Sequence, residues 1–128
     1  MPERSVTLLE LIVVILIIGI IAAIALPNFG PMRERVLDKE ATANLKLIQA
    51  AERVYRMETS FYYPYSGSET SIGTINTDLR LFLPAGATRN WDYEVKDTGC
   101  AQATRTVGTV RYWRFDIGED EPLSGTCP

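Results

Sequence analysis

The chain has 128 residues, a length that fits one globular domain rather than two with separate cores. It carries 13 Lys and Arg against 16 Asp and Glu, with no histidine, for a formal net charge of -3. That balance removes the commonest general base and metal ligand and leaves no basic footprint for nucleic acid. The two cysteines, Cys100 and Cys127, are too few for a zinc site. A disulfide or a pair of buried thiols fits them, the disulfide if the domain sits outside the cytoplasm.

Charge and hydropathy are unevenly placed. Residues 1–5 are short and polar, and from Leu11 to Leu26 no side chain is charged or strongly polar. A helix from Val6 to Leu26 spans roughly 31 Å at about 1.5 Å per residue, enough to cross a hydrocarbon core of about 30 Å. Gly19 lies inside this run and Pro27 closes it. Both weaken a helix in water, and a lipid or protein environment tolerates them.

Beyond Pro27 the apolar residues Leu37, Ala41, Leu45, Ile48, Ala51 and Tyr55 recur at helical spacing and predict one amphipathic stripe. The charges Arg35, Asp38, Lys39, Lys46, Glu52, Arg53 and Arg56 fall mostly off it. The pattern predicts a single helix from about Val6 to Glu58, bent at Pro27, apolar all round in its first half and one-faced in its second. The acidic excess lies later, in residues 60–128, which hold nine acids and six bases.

Residues 60–77, rich in Ser, Thr, Gly, Pro and Tyr, predict a loop. Its aromatic cluster, Phe61, Tyr62, Tyr63 and Tyr65, is expected to pack onto the domain. Trp91, Tyr93 and Val95 alternate with acids, and Trp113, Phe115 and Ile117 alternate with Tyr112, Arg114 and Asp116, which predicts strands. An antiparallel sheet built from such strands covers the helical stripe, giving an α+β fold. No Gly-rich phosphate loop, nucleophile elbow or metal-ligand cluster is present, so neither an enzyme nor a cofactor is expected. Asp116, Glu119, Asp120 and Glu121 match no EF-hand spacing and are expected to form a solvated acidic turn.

The N-terminal run admits three readings. A secretory signal peptide fits the apolar core and Ala23-Ile24-Ala25, but Glu3 and Arg4 leave its leading segment without net side-chain charge. A plain single-pass anchor fits the length but gives no partner to Glu10, a carboxylate at the edge of the span. Such a charge costs about 2–3 kcal/mol at the centre of a bilayer and less near its interface.

The third reading rests on Ser5-Val6-Thr7-Leu8-Leu9-Glu10-Leu11-Ile12-Val13-Val14-Ile15, continuing to Ala22-Ala23-Ile24-Ala25-Leu26-Pro27. This resembles the N-terminus of type IV pilins and their pseudopilin relatives. The resemblance implies a leader, 1–5, removed by a prepilin peptidase between Ser5 and Val6, with Ser5 standing where the family usually has Gly. It implies N-methylation of Val6 and an assembly role for Thr7 and for Glu10, the fifth mature residue. It implies that Gly19 and Pro27 mark a segment able to lose helical order, and that export favours the Cys100–Cys127 disulfide.

The implied layout is a filament-core or transmembrane helix over 6–27, an amphipathic half over 28–59 and a globular head over 60–128, in the type IV pilin fold. The implied function is a structural subunit of a type IV pilus, a homopolymer joined through the N-terminal helix. It would be held in the inner membrane before assembly and driven out by an assembly ATPase and an inner-membrane platform, to an extracellular pilus or a periplasm-spanning pseudopilus. The alternatives are a type II secretion pseudopilin and a monomeric membrane-anchored binding module.

Overall fold

Two helices, α1 over Leu8–Ala25 and α2 over Phe29–Thr59, occupy the first half of the chain in the computed structural model, which describes residues 5–25 and 29–128. The leader residues 1–4 and the expected bend at Pro27 therefore lie outside the described residues. The chain divides into two units, residues up to Glu34 and residues from Arg35 onward.

In the first unit, α1 is an 18-residue helix with no buried side chain. Nine of those residues are Ile or Val, which lose side-chain freedom in a helix and favour strands in water. An environment without water reverses that preference, because a helix satisfies every backbone group within the segment. By length and composition α1 is able to cross a membrane.

In the second unit, the stripe of α2 meets a sheet. Leu37, Ala41, Leu45 and Ile48 are buried, while Ala51 and Tyr55 are partly buried against the same cluster. Thr59 closes the helix: its hydroxyl donates to Tyr55 O at 2.9 Å and accepts from Phe61 N at 3.3 Å. Ser60 follows in the left-handed region at φ 68°, a common way to end a helix.

The sheet has five strands in sequential order, each antiparallel to its neighbour. They are β1 (Ser68–Glu69), β2 (Trp91–Lys96), β3 (Ala101–Arg105), β4 (Tyr112–Phe115) and β5 (Leu123–Ser124). The register sets Tyr93 opposite Ala103 and Val95 opposite Ala101, and Ala101 opposite Phe115 on the other side. All five are buried. Large side chains on β2 and β4 thus flank alanines on the strand between them, so the inner face stays level enough for a helix to lie on it.

Residues 60–77 are not all loop. Besides β1, a short helix α3 spans Ile72–Asp78, capped by the Ser71 hydroxyl accepting from Thr74 N, and it buries Ile72 and Ile75. The second expected strand is shorter than its alternation suggested. β4 ends at Phe115, and Asp116 then starts a turn in which its carboxylate accepts from the Ile117 amide at 2.7 Å.

Cys100 and Cys127 are joined by a disulfide, and both are buried. The bond ties the C-terminus to the start of β3 across a sequence separation of 27. A closed loop of that length contributes about 3–4 kcal/mol by the chain-entropy account. Replacing Cys100 and Cys127 together by serine is expected to lower the head's unfolding free energy by about that amount, measured by denaturant unfolding monitored through tryptophan fluorescence. An unchanged midpoint would remove the disulfide from the list of supports.

Candidate functional site

The motif residues stand at the entrance to α1. Ser5, Val6 and Thr7 are exposed and precede the helix. Thr7 caps it: its hydroxyl accepts from the Glu10 amide at 3.2 Å, and its carbonyl accepts from the Leu11 amide at 3.2 Å. Thr7-Leu8-Leu9-Glu10 is also the spacing of a capping box, in which a hydroxyl and a glutamate bracket the first turn. Glu10 lies in that first turn, where the positive end of the helix dipole favours an acid. The sequence signal for this local role was the Thr-x-x-Glu spacing beside an apolar run.

The Glu10 carboxylate is exposed, and within the chain no basic side chain is paired with it among the described residues. Everything after it is apolar. Val13, Ile17, Ile20 and Ile24 each expose about half of their surface or more. The side chains point around the full circumference, so α1 offers no single seam. Gly19 is helical, and a Cβ added there would meet nothing within 4 Å. Its smallness therefore relieves no contact inside the chain.

The head presents a different chemistry. Among the described residues no group of three or more His, Cys, Asp or Glu is placed to hold a metal ion. The acidic turn spends most of its carboxylates locally. Glu119 pairs with Arg114 at 2.7 Å and accepts from the Asp116 amide at 3.0 Å, and Glu121 pairs with Lys46 at 2.5 Å. The aromatic cluster is split: Tyr63 is buried, whereas Phe61 and Tyr65 are exposed and stack edge to face on each other. An open cleft of about 530 Å³ is lined by Arg53, Arg56, Met57, Tyr62 and Ile117, with the Arg56 guanidinium over the Tyr62 ring at 4.6 Å.

Two polar residues on α2 were missed as core. Gln49 and Glu52 are 2% and 0% exposed, although Glu52 was expected off the buried stripe. They stand four and seven residues beyond Leu45, which is the buried face of the helix. Gln49 Nε2 donates to Gly99 O at 2.9 Å and to Phe115 O at 2.8 Å, joining α2 to the β2–β3 turn and the end of β4. Glu52 Oε2 accepts from the Tyr63 amide at 3.0 Å. Burial pushes the Glu52 carboxyl up to about 7, against the opposing pull of the Tyr63 amide. Burial also pushes Tyr93 up to about 12, with the Asn44 hydrogen bond pulling it down and Glu40 pushing it up. Tyr63 is raised above the ordinary tyrosine range by burial and by a hydrogen bond with Asp78.

Comparisons with known proteins bear on this arrangement. The family model described as the prokaryotic N-terminal methylation motif matches residues 1–26. The chain is 41% identical over 64 residues to the type IV major pilin protein PilA of Myxococcus xanthus, covering 50% of this chain and 29% of that one. It is 30% identical over 107 residues to the type IV wide pilus major component PilA4 of Thermus thermophilus, covering 84% of this chain and 77% of that one. It is 32% identical over 60 residues to the type II secretion system core protein G of Klebsiella pneumoniae, covering 47% of this chain and 43% of that one. The chain thus spans less than half the length of the Myxococcus and Klebsiella proteins. No solved structure matches.

The cap is testable by itself. Thr7→Val keeps the shape and loses the acceptor, which is expected to cost about 1 kcal/mol at the helix start. Amide exchange at Glu10, in detergent micelles, is then expected to speed up about fivefold while exchange at the centre of α1 stays unchanged.

Proposed function

The chain belongs to the type IV pilin family, and from that premise we propose that it is a filament subunit of a type IV pilus, assembled through α1. The observation that carries this reading is α1 itself: 18 residues with no buried side chain, and one carboxylate, Glu10, in the first turn. Such a surface needs lipid or other copies of the same helix to cover it. A helix apolar on all sides accepts both, first as an anchor and then as the dry centre of a polymer.

The chemistry of assembly follows from two charges. Cleavage between Ser5 and Val6 frees an amine at Val6, methylated if the family's processing holds, four residues before the Glu10 carboxylate. Either charge alone is costly in an apolar setting. An axial offset between neighbouring copies brings the Val6 amine of one to the Glu10 carboxylate of the next, and the two costs partly cancel. Register is then set where the charges meet, since the apolar remainder slides without preference. Thr7, as the cap, orients the first turn that carries Glu10.

In this proposal residues 1–5 are the leader, 6–27 the anchor and filament core, 28–59 the amphipathic half and 60–128 the head. Gly19 and Pro27 mark the segment that yields when helices pack. Partners are other copies of the chain, the membrane, a prepilin peptidase, an assembly ATPase and an inner-membrane platform. Before assembly the subunit resides in the inner membrane, and afterwards in an extracellular filament. A pilus is favoured over a secretion pseudopilus by the reach of the similarity. The match to the Thermus pilus component extends over 107 residues and so into the head, whereas the match to the secretion protein covers 60.

The test separates a polymer subunit from an anchored monomer. Glu10→Ala is expected to leave the amount of membrane-bound protein unchanged and to reduce sheared filaments at least 10²-fold, since stranding one member of a buried pair costs about 3–5 kcal/mol. Equal filament yields from Glu10→Ala and the unaltered chain would sink the charge-pairing proposal.

A further inference from the structure

The buried polar pair on α2 leaves two oxygens without donors. Glu52 Oε1 and Gln49 Oε1 are both buried and neither accepts a hydrogen bond, although every other polar atom of these two side chains is engaged. Orphaned oxygens deep in a core are rare, and each one calls for a physical explanation. Residues 49 and 52 stand three apart on one helix, so their side chains are neighbours on the same face. Both are acceptors if Glu52 is ionised, and two acceptors cannot satisfy each other. A carboxylic acid has one O–H donor. A protonated Glu52 Oε1 would supply the donor that Gln49 Oε1 lacks and remove both vacancies at once, while Oε2 keeps the Tyr63 amide.

We propose that Glu52 is a proton-operated lock in the head: as the neutral acid it donates to Gln49 Oε1 while accepting from Tyr63 N, and loss of that proton loosens the 60–65 loop from α2. The neutral form links three elements through two adjacent side chains. Gln49 holds the β2–β3 turn and the end of β4, Glu52 holds the loop, and the proton joins Gln49 to Glu52. Ionisation turns the shared contact into a repulsion between a carboxylate and an amide oxygen, in a site with no water-exposed surface.

The surrounding charges do not replace the proton. On α2 the neighbours are Arg53, Tyr55 and Arg56, and Arg56 is turned outward onto Tyr62. In the loop and α3 they are Tyr62, Tyr63 and Asp78, with Asp78 engaged by Tyr63. On the sheet and its turns the charged groups Lys96, Asp97 and Asp116 have partners of their own. Lys96 donates to Pro128 O, Asp97 accepts from Gly67 N and Asp116 accepts from Ile117 N. The causes acting on Glu52 are burial first and the Tyr63 amide second, with no charged partner among them.

The direction with pH follows. The ordinary carboxyl value is 4.5 and burial lifts Glu52 to about 7. Between those two values the folded chain holds a proton that the unfolded chain has released, so stability falls as pH rises, by about tenfold in the folding equilibrium constant per pH unit. The contribution is fully present below 4.5 and fully lost above about 7.

The experiment uses the full chain in detergent micelles with carbon-13 in its glutamate carboxyls. The Glu52 carboxyl is expected to titrate with a midpoint near 7. In the same samples the folding equilibrium constant is expected to fall roughly 10²-fold between pH 5 and pH 8. Glu52→Gln supplies a permanent N–H donor to Gln49 and an acceptor to Tyr63, and is expected to abolish most of that fall. Amide exchange at Tyr63 and its loop neighbours should rise across the same range in the unaltered chain and stay level in Glu52→Gln. A Glu52 midpoint in the ordinary carboxylate range would overturn the proposal, because a buried water would then be serving the two oxygens. An equal pH-dependent fall in Glu52→Gln would overturn it as well. If that variant does not fold, the titration of the unaltered chain decides.

Discussion

The structure turns on one constraint: among the described residues, no side chain of α1 is buried. Its 18 residues expose apolar side chains on every side, and half of them are β-branched. In water such a segment would neither stay helical nor stay soluble, since helix propensity and the hydrophobic effect act together against it. In the filament proposed above, this surface has two successive covers, lipid and then copies of itself. In that proposal the single acid in the first turn is what makes the two covers differ. Lipid offers no partner for Glu10, whereas the proposed pairing with a neighbouring amine would.

The head obeys ordinary globular rules, with one device of its own. Its core is a helix stripe laid across a sheet whose middle strand is kept small by Ala101 and Ala103, so that Trp91, Tyr93 and Phe115 fill the space beside them. The disulfide fixes the end of the chain to that sheet. Gln49 and Glu52 replace apolar packing at the junction of α2, the sheet and the aromatic loop with hydrogen bonds of fixed direction. Hydrogen bonds specify a geometry more sharply than aliphatic contacts do, at the cost of needing every partner present. Among the described residues, Glu52 is the one titratable side chain on this buried face whose carboxyl is raised by burial, which is the basis of the proton lock proposed above.

Much of this was legible in the residues because it is local. The α2 stripe and β2 each follow one strict period, and the Ser5–Glu10 motif is contiguous. β3 was invisible because Ala101-Gln102-Ala103 has little strand propensity; its place comes from pairing on both edges. α3 has only seven residues of loop-like composition, and its signals were the Ser71 cap and the Ile72–Ile75 spacing. Glu52 was set among the solvated charges by its type, although its position relative to Leu45 and Ile48 places it on the buried face. The role of Glu10 is hidden for another reason. Its proposed partner belongs to a second copy of the chain, so a single chain carries only half of the pair.

The most direct measurement is the intact mass, without reduction, of the chain in filaments sheared from the cell surface. If α1 is the assembly element and Val6 its charged end, the mass will correspond to residues 6–128 plus one methyl group and minus the two hydrogens of the disulfide. Absence of the chain from the sheared fraction, with the full-length mass found only in the membrane, would contradict that account and point to an anchored monomer.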